Sequence, residues 1–133
     1  MREVVLDASV VLKWFRSEGE RHSEAARALR GSFERGVLLV LAPHLLQLEI
    51  LNIAGRRWGF PELALVELAT SLEQLGFELV EPELARVARW TARGLTAYDA
   101  AYVAVAEAAG VGLVTDDGLV LAAAPEIAQP LSV

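Results

Sequence analysis

Apolar residues along this chain fall into two kinds of run. Short, mostly unbroken ones occur in "REVVL" (2–6), "VLLVLAP" (37–43), "FELVEP" (77–82) and "VGLVTDDG" (111–118). They are too short for a helical face and largely lack polar alternation, which predicts strands covered on both sides. Longer stretches place apolar residues at helical spacing: 8–17, 18–36, 44–59, 61–76, 82–94 and 96–110. Their punctuation agrees, with Gly36 and Gly76 as C-caps, Pro61 in a first turn and Thr96 opening the last helix. A last short strand is expected in "AQPLSV". Strands alternating with helices favour a parallel sheet buried between helices, hence an α/β fold. With no repeat, low-complexity tract or linker, residues 1–133 read as a single domain.

Composition narrows the chemistry. The absence of cysteine removes disulfides, thiolate zinc sites and cysteine nucleophiles together. A net charge of −6 argues against coating nucleic acid by bulk electrostatics, but not against local recognition or a cation-holding acidic site. The apolar content, 54%, leaves surface for a protein partner. No run approaches the roughly 18 apolar residues of a membrane span. The opening "MREVVLDAS" also lacks the basic region and apolar core of a signal peptide. The expectation is a cytoplasmic protein with no membrane association.

The acids stand out next. There are only four aspartates, Asp7, Asp99, Asp116 and Asp117. Asp7 and the 116–117 pair each end a predicted strand, the rim where open parallel sheets bind ligands. Asp99 lies in the first turn of a helix, and Glu49 is the one acid in the apolar stretch "HLLQLEILNI". Each has an ordinary alternative. Asp7 suits an N-cap, Asp99 a capping box with Thr96, "DDG" a turn, and Glu49 the polar edge of a helix. Converged, however, such carboxylates repel by several kcal/mol in a partly dry site, which a cation relieves. Oxygen ligands suit Mg²⁺ or Mn²⁺. The two histidines, His22 and His44, lie away from the acids in sequence. His22 is expected on an exposed helix face and His44 in a first turn. Carboxylates holding a divalent cation suit phosphodiester hydrolysis.

Four segments together, "VVLDASVVLKWF", "APHLLQLEILNI", "LTAYDAAYVAVAEAAG" and "LVTDDG", resemble the PIN-domain family in order and spacing, and in particular its VapC-type toxins. The resemblance implies a three-layer α/β/α fold with a central, mainly parallel sheet of four to five strands. It implies a Mg²⁺- or Mn²⁺-dependent endoribonuclease acting on tRNA or rRNA, a homodimer neutralised by a cognate antitoxin. It assigns Asp7, Glu49, Asp99 and Asp117 as the acid set, with Ser9, Asn52 and Thr115 in support. Asp116 occupies the variable middle of "T-x-D" and ranks behind Asp117 as a metal ligand. The apolar "GLVLAAAP" departs from the polar or basic residues usual after that aspartate.

For RNA, the basic residues of interest are Lys13, Arg16, Arg86, Arg89 and Arg93, with Arg56 and Arg57. Arg86, Arg89 and Arg93 share a helical face at i, i+3, i+7, which is either a phosphate-contacting surface or a solvated face paired with Glu83. The aromatics Trp14, Phe15, Trp58, Phe60 and Trp90 read first as core or interface, and second as base-stacking platforms. Two further functions compete. One is a non-catalytic PIN-fold interaction partner. The other is a phosphotransferase with Asp7 as nucleophile, which would want a second aspartate where Ser9 stands.

Overall fold

The structure is a computed structural model and describes residues 1–16 and 22–131. Among these residues five strands form one sheet: β1 (Arg2–Leu6), β2 (Leu38–Ala42), β3 (Glu78–Leu79), β4 (Gly112–Thr115) and β5 (Ala128–Pro130). Their order is β3-β2-β1-β4-β5, and every pair is parallel. Val4 is opposite Val40 on one side and Gly112 on the other. The expected mainly parallel sheet of four to five strands, flanked by helices, is therefore what forms.

Among the described residues seven helices connect and cover the strands: α1 (Ala8–Phe15), α2 (Ser23–Glu34), α3 (Leu45–Arg56), α4 (Glu62–Glu73), α5 (Leu84–Ala92), α6 (Ala97–Ala109) and α7 (Gly118–Ala123). The central strands are buried as their composition demands: Val4, Val5, Leu6, Val40 and Leu113 are almost fully shielded. Helix α6 is apolar nearly all round, and Ala100 through Ala106 are all buried. Its small side chains let it lie against β1, β2 and β4, with α5 packed on it. At the other end of the core, Trp14, Phe33 and Phe77 meet with ring centroids 5.1–5.8 Å apart. The Trp14 indole N–H donates to the Ala26 carbonyl at 2.9 Å. Trp14 and Trp90 are thus core residues, as first expected.

One element departs from the expectation. "GLVLAA" forms α7, where "DDG" by itself predicts a turn. Its cap explains it: the Asp117 carboxylate accepts from the amides of Leu119 (2.8 Å) and Val120 (3.4 Å). Part of the predicted 18–36 helix, residues 18–21, lies outside the described residues, as do residues 132–133 of the predicted last strand. Among the described residues no helix is long and apolar enough to cross a membrane.

Candidate active site

The sheet order reverses between β1 and β4, so the loops leaving those two strands diverge and open a crevice at their carboxyl ends. Asp7 follows β1, and Thr115 ends β4. Asp7 is buried, and both its oxygens are occupied by hydroxyls. Ser9 donates to Oδ1 through its hydroxyl at 2.5 Å and its backbone amide at 3.1 Å. Thr115 Oγ1 donates to Oδ2. Thr115 in turn accepts the Asp117 amide at 3.0 Å, and Ser9 Oγ accepts the Asp116 amide at 3.0 Å. Ser9 and Thr115 therefore staple the β4–α7 turn to the first acid. Asp7 also serves as the N-cap of α1, so the ordinary reading and the functional one describe the same side chain.

The other acids arrive from separate elements. Asp99 stands in the first turn of α6, its amide donating to Thr96 Oγ1 at 3.0 Å, the cap expected from the sequence. Glu49, midway along α3, accepts the phenolic hydrogen of Tyr102. Asp117 caps α7. Asp7, Glu49, Asp99 and Asp117, with Ser9, Asn52 and Tyr102, line one open cleft of about 240 Å³. No lysine, arginine or histidine is among its described lining residues.

The electrostatics show how closely these groups feel one another. Burial pushes the Asp7 carboxyl up to about 6, against the hydrogen bonds from Ser9 and Thr115, and the Asp99 charge adds to the rise. Glu49 is raised by burial and then by Asp99 and Asp7, with the Tyr102 bond pulling the other way. Asp99 is raised by burial and then by Asp117. Burial and the Glu49 carboxylate hold Tyr102 well above the ordinary tyrosine range, so it stays a hydrogen-bond donor. Asp7, Asp99 and Asp117 each sit at a helix N-terminus, whose partial positive charge offsets part of the repulsion.

Asp116 goes elsewhere. It is absent from the cleft lining, and its carboxylate meets Lys13 Nζ at 3.6 Å and His22 Nδ1 at 3.1 Å. Lys13 is itself buried, with its ammonium toward this carboxylate. His22, expected on an exposed helix face, precedes α2 in a left-handed conformation (φ 59°) and is half-buried against Asp116. His44 immediately precedes α3, within 3.3 Å of Glu81. Of the basic surface residues, Arg86 is tied to Glu83 at 3.5 Å and Glu107 at 3.1 Å, the solvated-face alternative. Arg93 lies over the Trp90 ring, 4.6 Å from its centroid. Tyr102 escaped the sequence reading, although its position one turn after Asp99 on α6 puts it on the same face.

The donor set suits a hard divalent cation: four carboxylates on one cleft, of which Asp7, Glu49 and Asp99 are raised by burial and neighbouring charge, plus the Ser9 hydroxyl and the Asn52 amide. Among the described residues no three histidine, aspartate or glutamate side chains are placed closely enough together to hold a metal ion.

The chain is similar to the crystal structure of PAE2754 from Pyrobaculum aerophilum, with 30% identity and a TM-score of 0.67 over 98% of this chain and 91% of that one. No curated protein matches. A family model described as PIN domain matches residues 4–124, and the chain belongs to the PIN domain family.

Proposed function

We propose that residues 1–133 form one PIN domain acting as a metal-dependent endoribonuclease, the toxin of a VapBC-type toxin–antitoxin pair. Members of the family are typically metal-dependent nucleases, which supports hydrolase chemistry in general. The observation that carries the reading is the single cleft lined by Asp7, Glu49, Asp99 and Asp117.

In this reading the four carboxylates hold Mg²⁺ or Mn²⁺, which when bound supplies charge neutralisation at the scissile phosphate and an acidified water. Ser9 and Thr115 fix the rotamer of Asp7 so that its oxygens face the cleft from a rigid strand end. Tyr102 orients Glu49 in the same way. Asn52 lines the cleft without a charge and suits a phosphate or a metal-bound water. RNA of the tRNA or rRNA class is the proposed substrate.

The apolar surface supports partners. Leu48, Leu63 and Val66 are exposed on α3 and α4, beside a mostly apolar hollow lined by Leu51, Leu65, Val66 and Ala69, with Glu62 at its edge. We assign this face to a homodimer or to the antitoxin.

The test is cleavage of a structured RNA by the purified chain with Mg²⁺, with EDTA, and as Asp7→Ala and Asp99→Asn. Loss of cleavage in the last three is expected. Cleavage surviving both chelation and substitution would belong to a contaminant. A folded chain that cuts no RNA with either cation, and remains toxic as Asp99→Asn, would point to the non-catalytic alternative.

A further inference from the structure

Two helices leave the acidic cleft side by side, and each carries a stripe that leads from the acids toward an arginine. On α1 the stripe is Ser9 and Leu12, and Arg16 follows directly after the helix in extended backbone (φ −154°, ψ 95°). On α3 it is Glu49, Asn52 and Arg56, at i, i+3, i+7, with Arg57 one turn beyond Ile53. Ser9, Leu12, Glu49, Asn52 and Ile53 all line the cleft, so the arginines stand one turn outside it. Arg16, Arg56 and Arg57 are exposed, and among the described residues no carboxylate pairs with them. In a chain of net charge −6, these three cations gather at one margin of the acidic cleft.

An aromatic pair binds this margin together. Arg16 lies over the Trp58 ring, 5.2 Å from its centroid, and Phe60 packs on Trp58 at 5.6 Å and 50°. The backbone holds Trp58 in place. Arg57 and Trp58 both donate to the Ile53 carbonyl, at 2.8 and 3.2 Å, and the Phe60 amide donates to the Ala54 carbonyl at 3.0 Å. Gly59, at φ 69°, makes that return possible. The indole is half-buried, with Arg16 over its ring and Phe60 against it.

We infer that Arg16, Arg56, Arg57 and Trp58 form a subsite for single-stranded RNA flanking the scissile phosphate, with the arginines on backbone phosphates and Trp58 under a neighbouring base. This rests on the nuclease reading of the cleft. Cations alternating with a fixed aromatic are what a flexible single strand requires, since every base has a π-face and every step a phosphate. A duplex would present phosphates to the arginines but no base to Trp58. The subsite therefore selects unpaired segments, loops or ends, within a structured RNA.

The probe is a fluorescein-labelled single-stranded RNA of about a dozen nucleotides, within the usual span of such grooves. Binding is measured by anisotropy at several salt concentrations, in an Asp99→Asn background that holds RNA without cutting it. Trp58→Leu is expected to weaken binding about tenfold or more, and Trp58→Phe to recover most of it, following the strength of base–aromatic stacking. Arg16→Gln is expected to reduce the slope of log affinity against log salt by about 0.7, one phosphate contact on a single strand. Melting temperatures identify any variant that fails to fold, in which case Trp58→Phe and Arg16→Gln decide. Equal affinities across folded variants overturn the subsite. So does self-association that depends on Trp58 while RNA affinity does not, which would make this margin an interface between copies. Wild-type cleavage with Mg²⁺ separates the two claims. Cutting without dependence on Trp58 leaves the nuclease standing and removes the subsite. Trp58-dependent binding without cutting does the reverse.

Discussion

At the scale of single residues, Asp7 has the most specific consequences. Its carboxyl titrates near 6 in the folded chain against 3.8 when unfolded. Between those values the folded state holds the extra proton, so stability is highest at low pH and falls as pH rises through about 6. The loss attributable to Asp7 is up to about 3 kcal/mol, at 1.36 kcal/mol per pH unit. In EDTA the melting temperature should therefore drop from pH 4 to 7. Mg²⁺ should reverse that drop, and more strongly at pH 7 than at pH 5, because protons compete for the same oxygens. A Mg²⁺ effect independent of pH would contradict ligation by Asp7. Adjacent aspartates separate by the same assay. Asp117→Asn should abolish most of the Mg²⁺-induced stabilisation. Asp116→Asn should cost about 1–3 kcal/mol through the loosened Lys13 and His22 contacts, discounted for the partial exposure of that carboxylate, and should leave the Mg²⁺ response in place. The aspartate pair could not be divided by the letters alone, because the division depends on which side chain turns toward α1.

At the scale of elements, α6 connects packing to chemistry. Its alanines allow close approach to three strands, and that approach delivers Asp99 and Tyr102 to the cleft. Ala104 is fully buried, so Ala104→Leu should overpack this contact and cost about 1–3 kcal/mol in urea unfolding. An unchanged midpoint would mean that the helix can shift without cost. Nearly every element could be read from the chain, since buried strands and capped helices carry their own local signals. Helix α7 could not. It is six residues long, and its cap is the same Asp117 that the site uses, so its signal was read as a turn. Lys13 is the opposite case. Its charge suggested a surface residue, but α1 turns it inward toward a carboxylate more than a hundred positions away in the chain.

At the scale of the whole molecule, an acidic chain has a polarised surface. Carboxylates occupy the crevice at the reversal of sheet order, arginines stand at its margin, and an apolar face lies on α3 and α4. Val66→Arg should abolish concentration-dependent self-association in sedimentation experiments without lowering the melting temperature, since Val66 is exposed. A monomer at every concentration before substitution would remove the homodimer proposal. What the sequence determined by itself is local and periodic: the alternation of buried strands with capped helices, and the positions of the aspartates at their ends. Those properties depend on neighbours within a turn or two, which a linear pattern records. What only the tertiary structure decided is which distant groups meet. It paired Tyr102 with Glu49, drew Asp116 away to Lys13 and His22, and set Arg16 over Trp58. Such contacts depend on the sheet order and on helix packing, and these are properties of the whole chain that no single stretch of it encodes.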